Sequence, residues 1–544
     1  MVLIESLLAD TRELRLPENR GIMLAKVGAR LWDIDQKRAA DLFQEAVNEL
    51  AGAQAAAEAN RKSVQQQSEL LTGQSTRPQI LQTVAARDAD FALQSLYKTR
   101  PAAIERALSN RTSKEAKIRN YPANDQYLAQ NEINLEHSFI RMAADQNPAR
   151  AIALIKAALK NGVSNETLPL LKKLFEKDPN AANELTADLV SQMSRKTFIV
   201  ANQPDYQTIQ IAISLLSEFI REKPATEKSI HFDDSQMRTL AEKVVSSYLE
   251  RGTQYGYGYG PSLVQIAEKL VPGAVDRIKQ ADKTMSRNGN GISRIYQDER
   301  VIKLVGSETP VEQMLSEAGK LPVELRGQVY QSAANKLVAA GNISGARAVL
   351  DNNFSDDALE NALNSLNYSY AYQLMNEGRF TESESLIDTF PDAQRNGALI
   401  NLANYAYGRD AVKNKSYASA LLEKARAQLP PRPENNNDMS QAMQIIAAYA
   451  NIEPSEGFRM FDAIVPQINE VTEASLVVNA FQGGYNVRQG EMLISQGGSM
   501  GIYFDYSIFR NFAQNDFDRT MSMIGSFSRR EMRVNIKEQL LAGL

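Results

Sequence analysis

Apolar residues along this chain recur at three- and four-residue intervals rather than in alternation. Near the N-terminus, Ile22, Ala25, Val27, Gly28 and Leu31 form one stripe, and Ala39, Leu42, Phe43, Ala46 and Leu50 form a second. That spacing puts side chains on one face of an α-helix, so two amphipathic helices with a short turn are expected here. The positions between are filled by Ala, Leu, Gln, Glu, Lys and Arg, all good helix formers, and alternating β-branched runs are nearly missing. Only residues 491–495 and 502–506, on either side of a glycine-rich turn, carry a strand pattern, which predicts one short β-hairpin near 491–506.

The helices begin on a recurring signal. Asn147-Pro148-Ala149 and Asp178-Pro179-Asn180 both show it, and Glu453-Pro454-Ser455 is a weaker copy. The side chain of Asn or Asp caps free N–H groups, while proline at the first helical position gives up only an N–H that has no intrahelical partner. Asp88 and Asp516 mark the same turn without the proline.

In the C-terminal half, the small residues Ala346, Ser383, Ala420 and Gly457 are spaced 37 apart, as repeated units require. Small side chains there let the two helices of a hairpin approach closely. Four residues further on stand Leu350, Ile387, Lys424 and Phe461, and Lys424 is the misfit.

Tyr330, Ala333, Ala334, Leu337, Gly341, Ala346 and Leu350 follow an order of aromatic, small pair, aliphatic, turn glycine, small and bulky residue that resembles the tetratricopeptide family. Ala371, Leu374, Gly378, Phe380, Ser383 and Ile387 are similar, and Leu24, Val27, Gly28, Leu31, Ala39, Phe43 and Ala46 look like a third copy. The unit around Ala420 departs from the pattern by a longer first loop, from Gly408 to Lys415. The expected fold is all-α: an α-solenoid of stacked antiparallel helical hairpins, tetratricopeptide-like. What the resemblance implies is a concave surface that holds a peptide or protein and performs no chemistry of its own.

The helical pattern lapses at residues 253–261 and 286–291, both rich in glycine. The chain therefore reads as an N-terminal array over 1–252, a connecting region over 253–306 and a C-terminal array over 307–544. In the first lapse Tyr255, Tyr257 and Tyr259 alternate with glycines. They are the candidate partner-binding residues, since tyrosine offers large area with few rotatable bonds. The alternative is a plain connection whose tyrosines lie on a neighbouring helix.

Composition narrows the function classes. The 544 residues carry 61 Lys+Arg against 65 Asp+Glu, a net charge of −4, which is the wrong sign for a phosphate-backbone binder; nucleic acid is not an expected partner. No apolar run approaches the roughly 18 residues needed to span a bilayer. The chain has no cysteine, which excludes disulfides and thiol catalysis. Val2 to Leu8 lacks the basic region and cleavage site of an export leader. The expectation is an exported protein, periplasmic or extracellular, with its leader already removed; the alternative is a cytoplasmic one.

Motifs for chemistry are isolated. Gly497-Gly498-Ser499-Met500-Gly501 fits G-x-S-x-G, but the hydrolase order needs a later histidine, and the only histidines are His137 and His231. Gly256-Tyr257-Gly258-Tyr259-Gly260 follows a helical run rather than the strand a dinucleotide loop requires. In His231-Phe232-Asp233-Asp234, adjacent residues point apart, so helix capping explains them better than a metal site. His137 reads as a partly buried packing residue, and Trp32, Tyr368, Tyr370, Tyr372, Tyr405 and Tyr407 as hairpin packing. The expected function is a non-enzymatic interaction scaffold without cofactor or metal. The alternative is an exported accessory subunit of a bacterial cell-wall or surface complex, with carboxylate-based glycan cleavage or an active site supplied by another chain.

Overall fold

The computed structural model describes residues 1–59, 76–112, 123–195, 198–200, 203–204, 206–221, 229–251, 260–287, 299–306, 308–481, 487–494 and 506–543. They fall into two compact units, Met1–Gly289 with Leu493–Gln496, and Asn290–Met492 with Gly497–Leu544. Both are built from α-helices packed against their sequence neighbours, so the architecture is all-α and helical-repeat. Residues 255, 257 and 259, the G-x-S-x-G stretch and residues 502–505 lie outside the described residues.

In the first unit the two N-terminal stripes form the hairpin Pro17–Leu31 and Gln36–Ala59. Ile22, Leu24, Ala25, Val27, Leu31, Ala39, Phe43, Ala46 and Leu50 are all buried. Gly28 lies against the Phe43 ring, where a Cβ would come within 2.8 Å of it, and Trp32 stacks on the same ring at 5.6 Å. The capping signals act as the sequence predicts. Asp88, Asn147 and Asp178 accept hydrogen bonds from the N–H groups of Phe91, Arg150 and Ala181 at 2.9, 3.1 and 3.1 Å. Asp516, in the second unit, caps Arg519 at 2.9 Å.

Two antiparallel pairs of short strands interrupt the helices. β1 (Ile199–Val200) pairs with β2 (Gln203–Pro204), which the residue pattern did not announce. β3 (Val487–Arg488) pairs with β4 (Glu491–Met492), Met492 standing opposite Val487. Gln489 and Gly490 between them both have positive φ, 51° and 69°, the backbone of a type I′ turn that matches strand twist. The hairpin thus forms over 487–492, with residues 491–492 as its second strand rather than its first.

The second unit is a run of hairpins: Val323–Ala339 with Ile343–Asn353, Asp356–Glu377 with Phe380–Ile387, Asp392–Arg409 with Ala411–Arg426, and Asn436–Ile452 with Pro454–Phe481. Gly341 and Gly378 turn the first two, with φ of 77° and 80°. At the second turn the N–H of Arg379 reaches the carbonyl of Leu374 at 2.9 Å and that of Gly378 reaches Met375 at 3.0 Å, closing the helix end. The cores follow in sequence order. Ala334, Val338, Ala346, Leu350 and Leu366 form one cluster, and Ala371, Leu399, Leu402, Leu421 and Tyr449 belong to the next.

The regular 37-residue spacing does not survive in three dimensions. Ala346, Ser383 and Gly457 each lie three residues past the residue that opens the second helix of a hairpin, and all three are buried. Ala420 is exposed. No loop runs from Gly408 to Lys415, because Asp410 caps the N–H of Lys413 at 3.0 Å and the helix starts at Ala411. The equivalent residue is therefore Asn414, and the positions 346, 383, 414 and 457 are separated by 37, 31 and 43 residues. The residues saved at this turn reappear in the proline-rich loop before Asn436.

Asn414 occupies the tight position and is tied to the facing helix there: Nδ2 donates to the Ala406 carbonyl at 2.7 Å, as Ser383 Oγ donates to the Ala371 carbonyl at 3.0 Å. Four residues past Asn414 stands buried Ala418, where the pattern wants an apolar residue. Lys424 is then no misfit. It sits on the outside and pairs with Glu384 at 2.9 Å and Asp388 at 2.7 Å.

Candidate functional site

Among the described residues, polar groups gather at a sealed place in the first unit and at an open one in the second. The sealed one surrounds the helix Ala123–Gln146, on which Glu132 and Glu136 are one turn apart. Arg77 grips the Glu132 carboxylate through Nη1 at 2.7 Å and Nη2 at 3.0 Å, and Arg100 Nε adds a third bond at 2.7 Å. The same Arg77 guanidinium donates to the Leu96 carbonyl at 2.6 Å and to Thr99 Oγ1 at 3.1 Å. Three chain segments meet on one buried carboxylate.

Beside it, Tyr97 donates its hydroxyl to Glu136 Oε1 at 2.7 Å, with Arg100 over the tyrosine ring at 5.1 Å. Burial pushes the Glu136 carboxyl above the usual range, and burial with the facing carboxylate pushes the Tyr97 phenol up. Two acids in unlike settings are the pattern of an acid/base pair. Here Glu132 is closed to solvent and held by two guanidiniums, an arrangement suited to locking helices together.

His137, the next residue, is fully buried rather than partly buried. Its Nδ1 lies 2.8 Å from Ser164 Oγ and 3.3 Å from Thr167 Oγ1. Ser164 Oγ accepts the N–H of Glu166 at 3.2 Å, while Thr167 Oγ1 accepts the N–H of Ser164 at 2.9 Å, so the two hydroxyls form a reciprocal cap at the start of helix Thr167–Lys177. A histidine–serine contact that could suggest a nucleophile is, in this setting, a capped helix end tied to its neighbour. The residues Ser164-Asn165-Glu166-Thr167 carried the capping signal, but nothing in the sequence joined them to His137.

Of the segment His231-Phe232-Asp233-Asp234, Asp233 takes the expected capping role and His231 does not. Asp233 accepts the N–H of Gln236 at 2.8 Å, and the backbone N–H of His231 donates to Asn183 Oδ1 at 2.9 Å. Among the described residues no group of three or more His, Cys, Asp or Glu is placed to hold a metal ion, and no helix is long and apolar enough to cross a membrane.

The open place is a groove of about 540 Å³ in the second unit, lined by Met375, Asn376, Asn404, Tyr405, Gly408 and Arg409. Its walls are the first helices of two successive hairpins, Asp356–Glu377 and Asp392–Arg409, which pack side by side. Met375 forms an apolar floor. Tyr405 is 41% exposed, so it faces the groove rather than packing its hairpin as the sequence suggested. Behind it Tyr372 meets the Tyr405 ring edge-on at 6.1 Å, accepts a bond from Asn401 Nδ2 at 2.5 Å and lies 3.3 Å from the Tyr368 hydroxyl. Burial and the Tyr368 contact push the Tyr372 phenol up, so it stays neutral and available to this network.

Arg409 reaches from the end of its helix across to the turn of the preceding hairpin. Nη1 donates to the Asn376 carbonyl at 2.8 Å, and the guanidinium occupies the space a Cβ on Gly378 would enter, 2.9 Å from Cζ. No local pattern announces this group, since its residues are a helix end, a turn glycine and two surface asparagines from different hairpins.

No family model matches the chain, and no curated protein matches it. A solved structure described as "Circular tandem repeat protein with novel repeat topology and enhanced subunit contact surfaces" aligns over 100% of both chains, at 13% identity and a TM-score of 0.23. A score that low carries no argument about this fold.

Proposed function

We propose that this protein is a non-enzymatic scaffold that binds a peptide or protein segment in the groove between helices Asp356–Glu377 and Asp392–Arg409, in the manner its tetratricopeptide-like pattern implies. One observation carries the reading. Among the described residues the groove is the place where an exposed aromatic ring, an apolar floor and carboxamides without partners in the protein converge. Such a mixture of apolar surface and a few placed polar groups is what ligand sites present. The acids and histidine of the first unit support the same reading, because each is engaged in holding helices together.

The test compares capture of partners by the intact protein and by Tyr405→Ala, with Val412→Ala as control, since Val412 is 94% exposed on a different helix. Partners should be retained by the intact protein and the control and lost by Tyr405→Ala, as removal of an interface tyrosine commonly costs over 1 kcal/mol. Equal capture by all three would remove the groove from the argument. Release of sugar fragments from purified cell wall by the pure protein would overturn the non-enzymatic assignment.

A further inference from the structure

We infer that Asn161 is a self-modification site: its side-chain amide is lost to attack by the backbone nitrogen of Gly162, and the aspartate or isoaspartate left behind loosens the lock around Glu136.

Asparagine before glycine is open to this reaction because no Cβ on the second residue shields its backbone nitrogen. Such pairs stand at 161–162 and 396–397, and at 288–289 and 290–291 outside the described residues. At the first, the helix Pro148–Ala158 has ended. The N–H of Lys160 reaches Ala157 at 3.2 Å and that of Asn161 reaches Ala158 at 2.9 Å, after which Gly162 turns away with φ of 147°. The N–H of Gly162, which carries the reacting nitrogen, makes no hydrogen bond to another described residue, and Asn161 is only half-buried. The pair at 396–397 is the opposite case. Gly397 lies within the helix Asp392–Arg409, where its N–H belongs to the ladder, and buried Asn396 donates Nδ2 to Gln441 Oε1 at 2.7 Å.

The chemistry needs only water. The Gly162 nitrogen gives its proton to solvent base and bonds to Asn161 Cγ; the Cγ–Nδ2 bond breaks and ammonia leaves with a proton from water. A second water opens the cyclic imide, at Cγ to give aspartate or at the main-chain carbonyl to give isoaspartate. The sum is amide plus water to carboxylate plus ammonium.

The product matters because of what Asn161 faces. Burial raises the Glu136 carboxyl, and the Asn161 carboxamide opposes that rise as a hydrogen-bond donor to it. A carboxylate at 161 can only accept, so a donor is exchanged for a like charge beside a side chain that also holds Tyr97. Either one proton is shared by the two acids or the turn parts from the helix Ala123–Gln146.

Incubation of the full chain in mildly alkaline buffer, followed by digestion in acid and peptide mass spectrometry, tests this. Asn161 should convert at least about tenfold faster than Asn396, whose helix must open first, and should yield isoaspartate alongside aspartate. In strong urea the two sites should convert at like rates. Equal rates in the native protein, or an Asn161 that stays intact while Asn396 converts, overturn the site. Hydrogen exchange in the helix Ala123–Gln146 reads the consequence: Asn161→Asp should speed it about tenfold or more, and Asn161→Gln, which keeps the amide, should not. Exchange unchanged in Asn161→Asp overturns the unlocking.

Discussion

Glu132 and its two arginines permit a prediction whose rank order follows from geometry. Replacing Glu132 by Gln removes the one negative charge that compensates Arg77, a side chain only 2% exposed, and leaves that guanidinium buried without a counter-ion. Breaking a buried pair in this way costs about 3–5 kcal/mol. Arg77→Met is milder, because Glu132 keeps Arg100 at 2.7 Å while Leu96 and Thr99 lose a donor; about 2–3 kcal/mol is expected. The double variant Arg77→Met with Glu132→Leu removes both buried charges together, and Arg100, nearer the surface, turns to water. It should lie within about 2 kcal/mol of the parent, since apolar replacements of buried pairs are often close to neutral.

Hydrogen exchange read on the helices Ala89–Lys98 and Ala123–Gln146 measures this locally, where a whole-chain melt would mix two units. Glu132→Gln should speed exchange there by roughly two decades or more, Arg77→Met by less, and the double variant by less than Glu132→Gln alone. A double variant whose cost equals the sum of the singles would show that the two groups are not coupled. A cost under about 1 kcal/mol for Glu132→Gln would refute the claim that Arg77 depends on it.

Glu136 gives a pH dependence. Burial raises its folded carboxyl, so the folded protein holds this proton more tightly than the unfolded chain; the stability it contributes is present at acid pH and lost as pH rises through the folded value. Glu136→Gln should flatten the fall in stability of the first unit as pH rises above the ordinary carboxylate range, and an unchanged slope of the urea midpoint against pH would count against it. Gly28→Ala should destabilise the N-terminal hairpin by about 1–3 kcal/mol despite better helix propensity, because the new methyl meets the Phe43 ring and lies 3.2 Å from the Ala39 carbonyl; a rise in thermal midpoint would contradict this. Ala418→Asp should destabilise the second unit by more than about 2 kcal/mol while Ala420→Asp changes it by less than about 0.5, in denaturation by urea, and the reverse order would restore the 37-residue register.

What the sequence determined by itself is what depends on neighbours a few residues apart. Helical periodicity, the caps at Asp88, Asn147, Asp178 and Asp516, and the turn glycines Gly341 and Gly378 all rest on contacts within about one turn, so local spacing was enough to place them. The short strand at 491–492 was legible too, but its partner was not, since a pair of residues has no pattern to extend. Register between hairpins was decided only in three dimensions: a turn shortened at Asp410 and a loop lengthened before Asn436 leave the spacing of Ala346, Ser383, Ala420 and Gly457 regular in number while moving Ala420 to the surface. Both polar assemblies are likewise tertiary. Arg77 meets Glu132 across 55 positions, His137 meets Ser164 across 27 and Arg409 meets Asn376 across 33, and no local spacing encodes which long side chain will cross to which helix. Packing the hairpins brought these groups together, and packing also decided which stay sealed as helix locks and which, around Tyr405 and Arg409, remain open to solvent.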